Sequence, residues 1–277
     1  MLPVAALMGS LVSLCVGTSF AKSLFPFVGA EGTTTLRLVF STALLMLFLR
    51  PWRRTWAWAD LLPLALYGVP MGVMNLLFYC ALQTIPFGLA VAIEFTGPLA
   101  VALWTSRKTL DYVWVMLAIA GLGLFLPWQG SNDALDPIGM GFALGAGCCW
   151  ALYIVFGQRV ASRYGAMAAP MGMLIATLVV APVGLTVAGG ALFDGHLLLT
   201  ALVVALVSSA VPYSLEMYAL QHLPKHTFSV LLSLEPAVGA MAGWLVLSEQ
   251  LSAQQLLAMG LIMAASIGCA YNAKKRP

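Results

Sequence analysis

Charged side chains are what this sequence has least of. Only 8% of its 277 residues are Asp, Glu, Lys or Arg, against roughly 25% in an ordinary soluble domain, so a water-soluble globular fold is excluded. Histidine is scarce as well: His196, His222 and His226 are the three present. They fall at the ends of apolar segments and form no HExxH pattern, which removes zinc-hydrolase chemistry. The five cysteines, Cys15, Cys80, Cys148, Cys149 and Cys269, make no CxxC and no Cys/His ligand spacing, so they read as small fillers of an apolar interior. No phosphate-cradling glycine loop is present, so ATP is not the driver within this chain. The net charge of +3 gives no polybasic face for nucleic acid. An enzyme, a metal and an organic cofactor are therefore not expected.

What the chain does have is apolar length. It is 61% hydrophobic with a mean hydropathy of +0.96, and segments of about 20 apolar residues follow one another to Tyr271. The expected fold is an all-α integral membrane protein in a lipid bilayer, with helices at roughly 3–25, 31–50, 61–82, 86–106, 111–128, 137–159, 166–188, 197–221, 225–247 and 252–271. The first segment lacks a signal-peptide cleavage site and reads as a retained helix. With ten helices, the loop residues Arg50, Arg53, Arg54, Arg107, Lys108, Arg159, Arg163, Lys225, Lys274, Lys275 and Arg276 all fall on one side. The opposite loops carry Asp133, Asp136, Asp194 and Glu249 and no basic residue. The positive-inside rule then puts both termini in the cytoplasm.

The chain also repeats. ALQTIP at Ala81–Pro86 returns as ALQHLP at Ala219–Pro224, an offset of 138 that carries Pro98 onto Pro236 and Asp111 onto Glu249. This divides the protein into two five-helix repeats, residues 1–129 and 137–273. Five is odd, so the second copy enters the membrane from the opposite side, and an inverted repeat of this kind favours a transporter working by alternating access.

One apolar run breaks its own pattern. Ala90–Leu103 holds Glu94 and, four residues later, Pro98. A carboxylate at that depth costs at least about 2.5 kcal/mol unless it faces protein or water, and Pro98 leaves the Glu94 carbonyl without its helical donor. The helix is expected to kink there and to wall a pathway.

The inverted plan resembles the drug/metabolite transporter superfamily, EamA type, over the whole chain. AKSLFPFVGA, GVMNLLFYCALQTIPFGLAVAIEFTGPLAVALW, GAGCCWALYIVFGQR and PYSLEMYALQHLPKHTFSVLLSLEPA are similar to a bacterial inner-membrane branch that exports small amino acids. The resemblance implies efflux of threonine, homoserine or similar amino acids, driven by proton influx. An alternative keeps the fold and changes the cargo to other amino acids, cationic drugs or another metabolite.

A zwitterion stripped of water needs donors and acceptors together. Lys22 and Arg37 are candidates for the substrate carboxylate, and Glu94 or Glu235 for its ammonium. Each has a plainer reading: Lys22 as a snorkelling side chain, Arg37 as a structural partner of Glu94. Glu94 and Glu235 are also the candidate proton carriers, with Pro98 and Pro236 as helix kinks. Glu216 reads as a gate or as an ion pair with Lys225. Asn75, Tyr79 and Tyr153 are further candidates for the substrate, Asn75 also for interhelical bonding. Trp150 reads as packing or as closing the cavity from inside. GxxxG pairs such as Gly68/Gly72 serve contacts inside a bundle as well as between chains, so the sequence sets no oligomeric state.

Overall fold

The computed structural model describes residues 2–104, 109–124, 136–223 and 231–274, and the regular elements among them are all helical. Helix α1 (Leu2–Ala21) passes through a 3-10 turn at Lys22–Leu24 into α2 (Phe25–Leu49). Then come α3 (Trp58–Ala81), α4 (Phe87–Glu94), α5 (Thr96–Trp104) and α6 (Thr109–Leu124). The C-terminal part holds α7 (Pro137–Tyr164), α8 (Ala168–Ala188), α9 (Gly195–Ala205), α10 (Val211–His222), α11 (Glu235–Leu247) and α12 (Ala253–Lys274).

Four stretches, Leu2–Leu49, Trp58–Ala81, Pro137–Tyr164 and Ala168–Phe193, are long and apolar enough to cross a membrane. Their outer surface is apolar too: Phe48, Leu62, Leu178, Leu199, Trp244 and Leu245 are mostly exposed, while Thr33, Thr34, Arg37, Asn75, Glu94, Ser208 and Glu235 are buried. Polar groups inside and leucines outside reverse the order of a soluble protein, and a hydrocarbon surround is what makes that order stable. The chain is a membrane protein.

Among the described residues the expected ninth helix is interrupted by a turn at Ser233–Leu234, just before Glu235, and three other segments differ from simple spans, each for a local reason. The expected second helix starts earlier and breaks at Gly29, whose φ of 68° and ψ of −179° belong to a region that only glycine enters without strain. The expected fourth helix is two pieces, α4 and α5, separated at Phe95. Pro98 has no N–H to give the Glu94 carbonyl, and that carbonyl lies against Gly147 of α7. The expected eighth helix runs from α9 to α10 through a π-helical turn at Leu206–Ala210.

The principal packing joins the N-terminal part of the chain to the C-terminal part. Helix α3 lies on α7 and α8, α2 on α8, α1 on α10, α4 on α11 and α6 on α12. Small residues let these backbones approach: Gly72 sits against the Ala176 carbonyl of α8, and Gly17 of α1 against the Ser208 backbone in the π turn. The Gly68/Gly72 pair thus packs inside the bundle. The tightest case is Gly97, where a Cβ would overlap the Gly147 carbonyl oxygen. Backbone cannot yield as a side-chain tip can, so Gly97→Ala is expected to cost more than about 3 kcal/mol. Loss of the monodisperse peak on size exclusion in detergent would show it, and a wild-type profile and melting point would count against this packing.

Candidate functional site

Pro212 organises the centre of the bundle. A helix carbonyl is normally satisfied by the N–H four residues on, or five in a π turn. Position 212 would serve Ser208 in the first register and Val207 in the second, and proline serves neither. Side chains from other helices take its place: Ser13 Oγ of α1 donates to the Val207 carbonyl at 2.7 Å, and Arg37 Nη2 of α2 donates to the Ser208 carbonyl at 3.2 Å. Ser10 Oγ donates to the Pro212 carbonyl at 2.9 Å. The π turn is therefore held by α1 and α2.

Arg37 is 6% exposed and spreads its fork across three acceptors. Besides the Ser208 carbonyl, its Nε donates to Ser208 Oγ at 2.9 Å and its Nη1 to Asn75 Oδ1 at 2.6 Å. The guanidinium carbon lies 5.5 Å from the centre of the Tyr79 ring, within cation–π range. Asn75 uses its other end as well, donating Nδ2 to the Met71 carbonyl at 2.8 Å. Both ends of that amide are committed to the protein.

Two carboxylates stand next to this bridge. Glu94 ends α4 and Glu235 begins α11, each 8% exposed. Glu94 feels the charges of Glu235 and Arg37, and Glu235 also acts on Cys15 of α1. Among the described residues Arg37 makes no ion pair with Glu94, because its bonds go to Ser208 and Asn75. Pro236, directly after Glu235, sits in the first turn of α11, where a missing N–H costs little. The structure thus brings Arg37, Asn75, Tyr79, Glu94 and Glu235 into one cluster.

Lys22 is placed elsewhere. Its Nζ donates to Glu249 Oε1 at 2.9 Å, while Glu249 Oε2 accepts the Phe87 N–H, at the start of α4, at 2.8 Å. One carboxylate therefore clasps the 3-10 turn after α1, the start of α4 and the turn before α12. A second clasp lies at the end that carries Arg50, Arg53 and Arg54. There Asp60 Oδ1 accepts Tyr164 Oη at 2.7 Å and Arg163 Nη2 at 3.0 Å, and Oδ2 accepts the Ala57 N–H at 3.0 Å. Tyr153 stacks on Tyr67 with ring centres 5.0 Å apart, in the packing between α3 and α7. Trp150 meets Phe95 edge to face at 5.5 Å. Glu216 lies on α10 with its side chain outside the described ones, and Lys225 lies outside the described residues.

A model of the EamA-like transporter family matches residues 137–271. Over nearly its whole length the chain is also similar to the threonine/homoserine exporter RhtA of Escherichia coli K12, 48% identical over 274 residues that cover 99% of this chain and 93% of the relative. This chain belongs to the EamA-like transporter family. RhtA of Salmonella typhimurium SL1344 is 47% identical over 276 residues, 100% of this chain and 94% of its own. The inner membrane transporter YedA of Escherichia coli K12 is 27% identical over 217 residues, 76% and 69% of the two chains. A solved crystal structure shares the fold at a TM-score of 0.62 and 15% identity, covering 98% of this chain and 97% of that one.

An EamA transporter is no enzyme, so its buried polar groups have cargo and conformational change to serve instead of bond chemistry. Sequence reasoning about this EamA chain missed Ser208, Glu249, Asp60 and Tyr67. For Ser208 the signal was available: Pro212 four residues on marks a carbonyl that must find another donor. The start of α7 gives a pH prediction. Asp136 Oδ2 accepts the Gly139 N–H at 2.9 Å, and this bond with one from the Thr84 hydroxyl holds the Asp136 carboxyl below its ordinary range. A folded-state pKa lowered in this way gives stability that is present above the unfolded value of about 3.9 and is lost as pH falls through the folded value. Asp136→Asn is expected to lower the melting point by a few degrees at neutral pH, with the gap closing in acid. A gap independent of pH would remove the carboxylate from the explanation.

Proposed function

We propose that this chain exports threonine, homoserine or closely similar small amino acids by alternating access, coupled to proton influx. The observation that carries the reading is the pair of buried carboxylates, Glu94 and Glu235, beside an arginine already bonded to Ser208 and Asn75. Among the described residues two acids face one cation, so the cluster has room for a further positive charge. A proton or the ammonium of an amino acid supplies it, and competition between the two is the elementary step of antiport. Arg37 holds the substrate carboxylate with the N–H groups that Ser208 and Asn75 leave over, and the names of the RhtA relatives suggest the cargo.

The same reading takes the chain as ten spans in two inverted five-helix repeats, 1–129 and 137–273, with both termini in the cytoplasm. The helix pairs support it: exchanging each of five spans for its counterpart turns the α1–α10 pair into α7–α3 and maps α2–α8, α4–α11 and α6–α12 onto themselves. Lys22–Glu249 then closes the periplasmic end and Asp60–Arg163–Tyr164 the cytoplasmic end. Each clasp joins the two parts of the chain, as reciprocal gates must.

The deciding experiment loads vesicles with labelled threonine or homoserine and follows flux with and without an imposed proton gradient. Saturable transport that requires the gradient is expected. Flux of neither amino acid rejects the cargo and moves the search to other amino acids, cationic drugs and other metabolites.

A further inference from the structure

Among the described side chains, four buried polar atoms lack a hydrogen-bond partner: Ser19 Oγ, Ser41 Oγ, Tyr79 Oη and Trp114 Nε1. A serine hydroxyl on a helix can turn toward the carbonyl one turn back, and Trp114 packs under Gly268 of α12, away from the cluster. Tyr79 has no such escape. It is 0% exposed, its hydroxyl is fixed by a ring that packs on Phe25 and Phe78, and Arg37 lies over that ring. Thr18 and Arg37 are beside the hydroxyl without reaching it in hydrogen-bond geometry. A buried hydroxyl left unmet costs about 1–3 kcal/mol, and phenylalanine would fill the same space without that cost.

We infer that Tyr79 Oη is the group that recognises the side-chain hydroxyl of the cargo. The inference rests on the proposed function and sharpens it. Threonine and homoserine carry their hydroxyls on different carbons but both within two carbons of Cα, and a phenol can donate to or accept from either. Asn75, the other candidate for a hydroxyl, is occupied at both ends by Arg37 and Met71. A site built around an unmet polar group rejects the analogue that leaves it unmet, so Tyr79 makes the site selective for hydroxyl-bearing amino acids.

The test compares threonine, homoserine and 2-aminobutyrate in proteoliposomes. The last is both threonine and homoserine without the hydroxyl. In wild type, kcat/KM for threonine and homoserine is expected to exceed that for 2-aminobutyrate by roughly 10- to 100-fold. In Tyr79→Phe the preference should collapse to within about threefold, through loss on the hydroxylated substrates, with a melting point equal to or above wild type. A wild type that does not distinguish threonine from 2-aminobutyrate overturns the inference without any variant. So does a folded Tyr79→Phe that keeps the preference. If wild type moves none of the three, the proposed cargo fails, and that result is distinct from a loss of selectivity.

Discussion

Glu94→Gln is expected to abolish gradient-driven export, by at least about 100-fold, while the protein stays folded. The amide keeps the volume and much of the hydrogen-bonding capacity of the acid, and Glu94 sits in a cluster where Glu235 already supplies repulsion. A neutral amide adds nothing to that repulsion, so the variant is expected to fold. What is lost is the counter-charge for an ammonium or a proton in a buried site, and breaking such a pair costs about 3–5 kcal/mol, which sets the expected factor. Substrate–substrate exchange separates the two roles, because it needs no net proton movement. If Glu94 only carries the proton, exchange persists when driven flux is gone; if Glu94 holds the ammonium, both disappear. Glu235→Gln in the same assay assigns the remaining role. Wild-type driven flux in both variants would remove the carboxylate pair from the mechanism.

The second large effect belongs to Arg37. Arg37→Met keeps most of the volume but deletes the donors to Ser208 Oγ, Asn75 Oδ1 and the Ser208 carbonyl. The carbonyl is the expensive loss, since Pro212 cannot replace the missing donor. A cost of about 3–5 kcal/mol and loss of transport are expected, read as a lower melting point in detergent and no flux in vesicles. Arg37→Lys should recover only part of the stability, because a single ammonium cannot span acceptors on α3 and the π turn at once. Adding Pro212→Ala to Arg37→Met returns one backbone N–H to the turn and should raise the melting point of the double variant above that of Arg37→Met alone. If Pro212→Ala gives no relief, the exchange of an arginine donor for a proline-deleted one is the wrong description of this turn.

Much of this was open to reading from the chain. The shortage of charge and the length of the apolar runs required a membrane protein, and Glu94 with Pro98 marked the place where a helix breaks, which is where α4 gives way to α5. Arg37, Asn75, Tyr79, Glu94 and Glu235 stood out because polar groups in hydrocarbon need a reason to be there. Their roles did not follow from their types. Arg37 could equally have paired with Glu94, and Lys22, whose charge is the same, could have joined it; the structure gives Arg37 to Ser208 and Asn75 and gives Lys22 to Glu249. In the sequence Glu249 is a loop acid; in the structure its carboxylate lies across the start of α4.

The sequence by itself determined the solvent, the class and the break beside Pro98, because hydropathy and a missing proline N–H act within a few residues of one another, whereas the Gly29 break and the π turn emerged from the structure. The tertiary structure alone decided which donor meets which acceptor. Those bonds join residues 38 to 227 positions apart, and in a bundle whose main contacts run between its N-terminal and C-terminal parts, partners at that separation are set by how the helices pack.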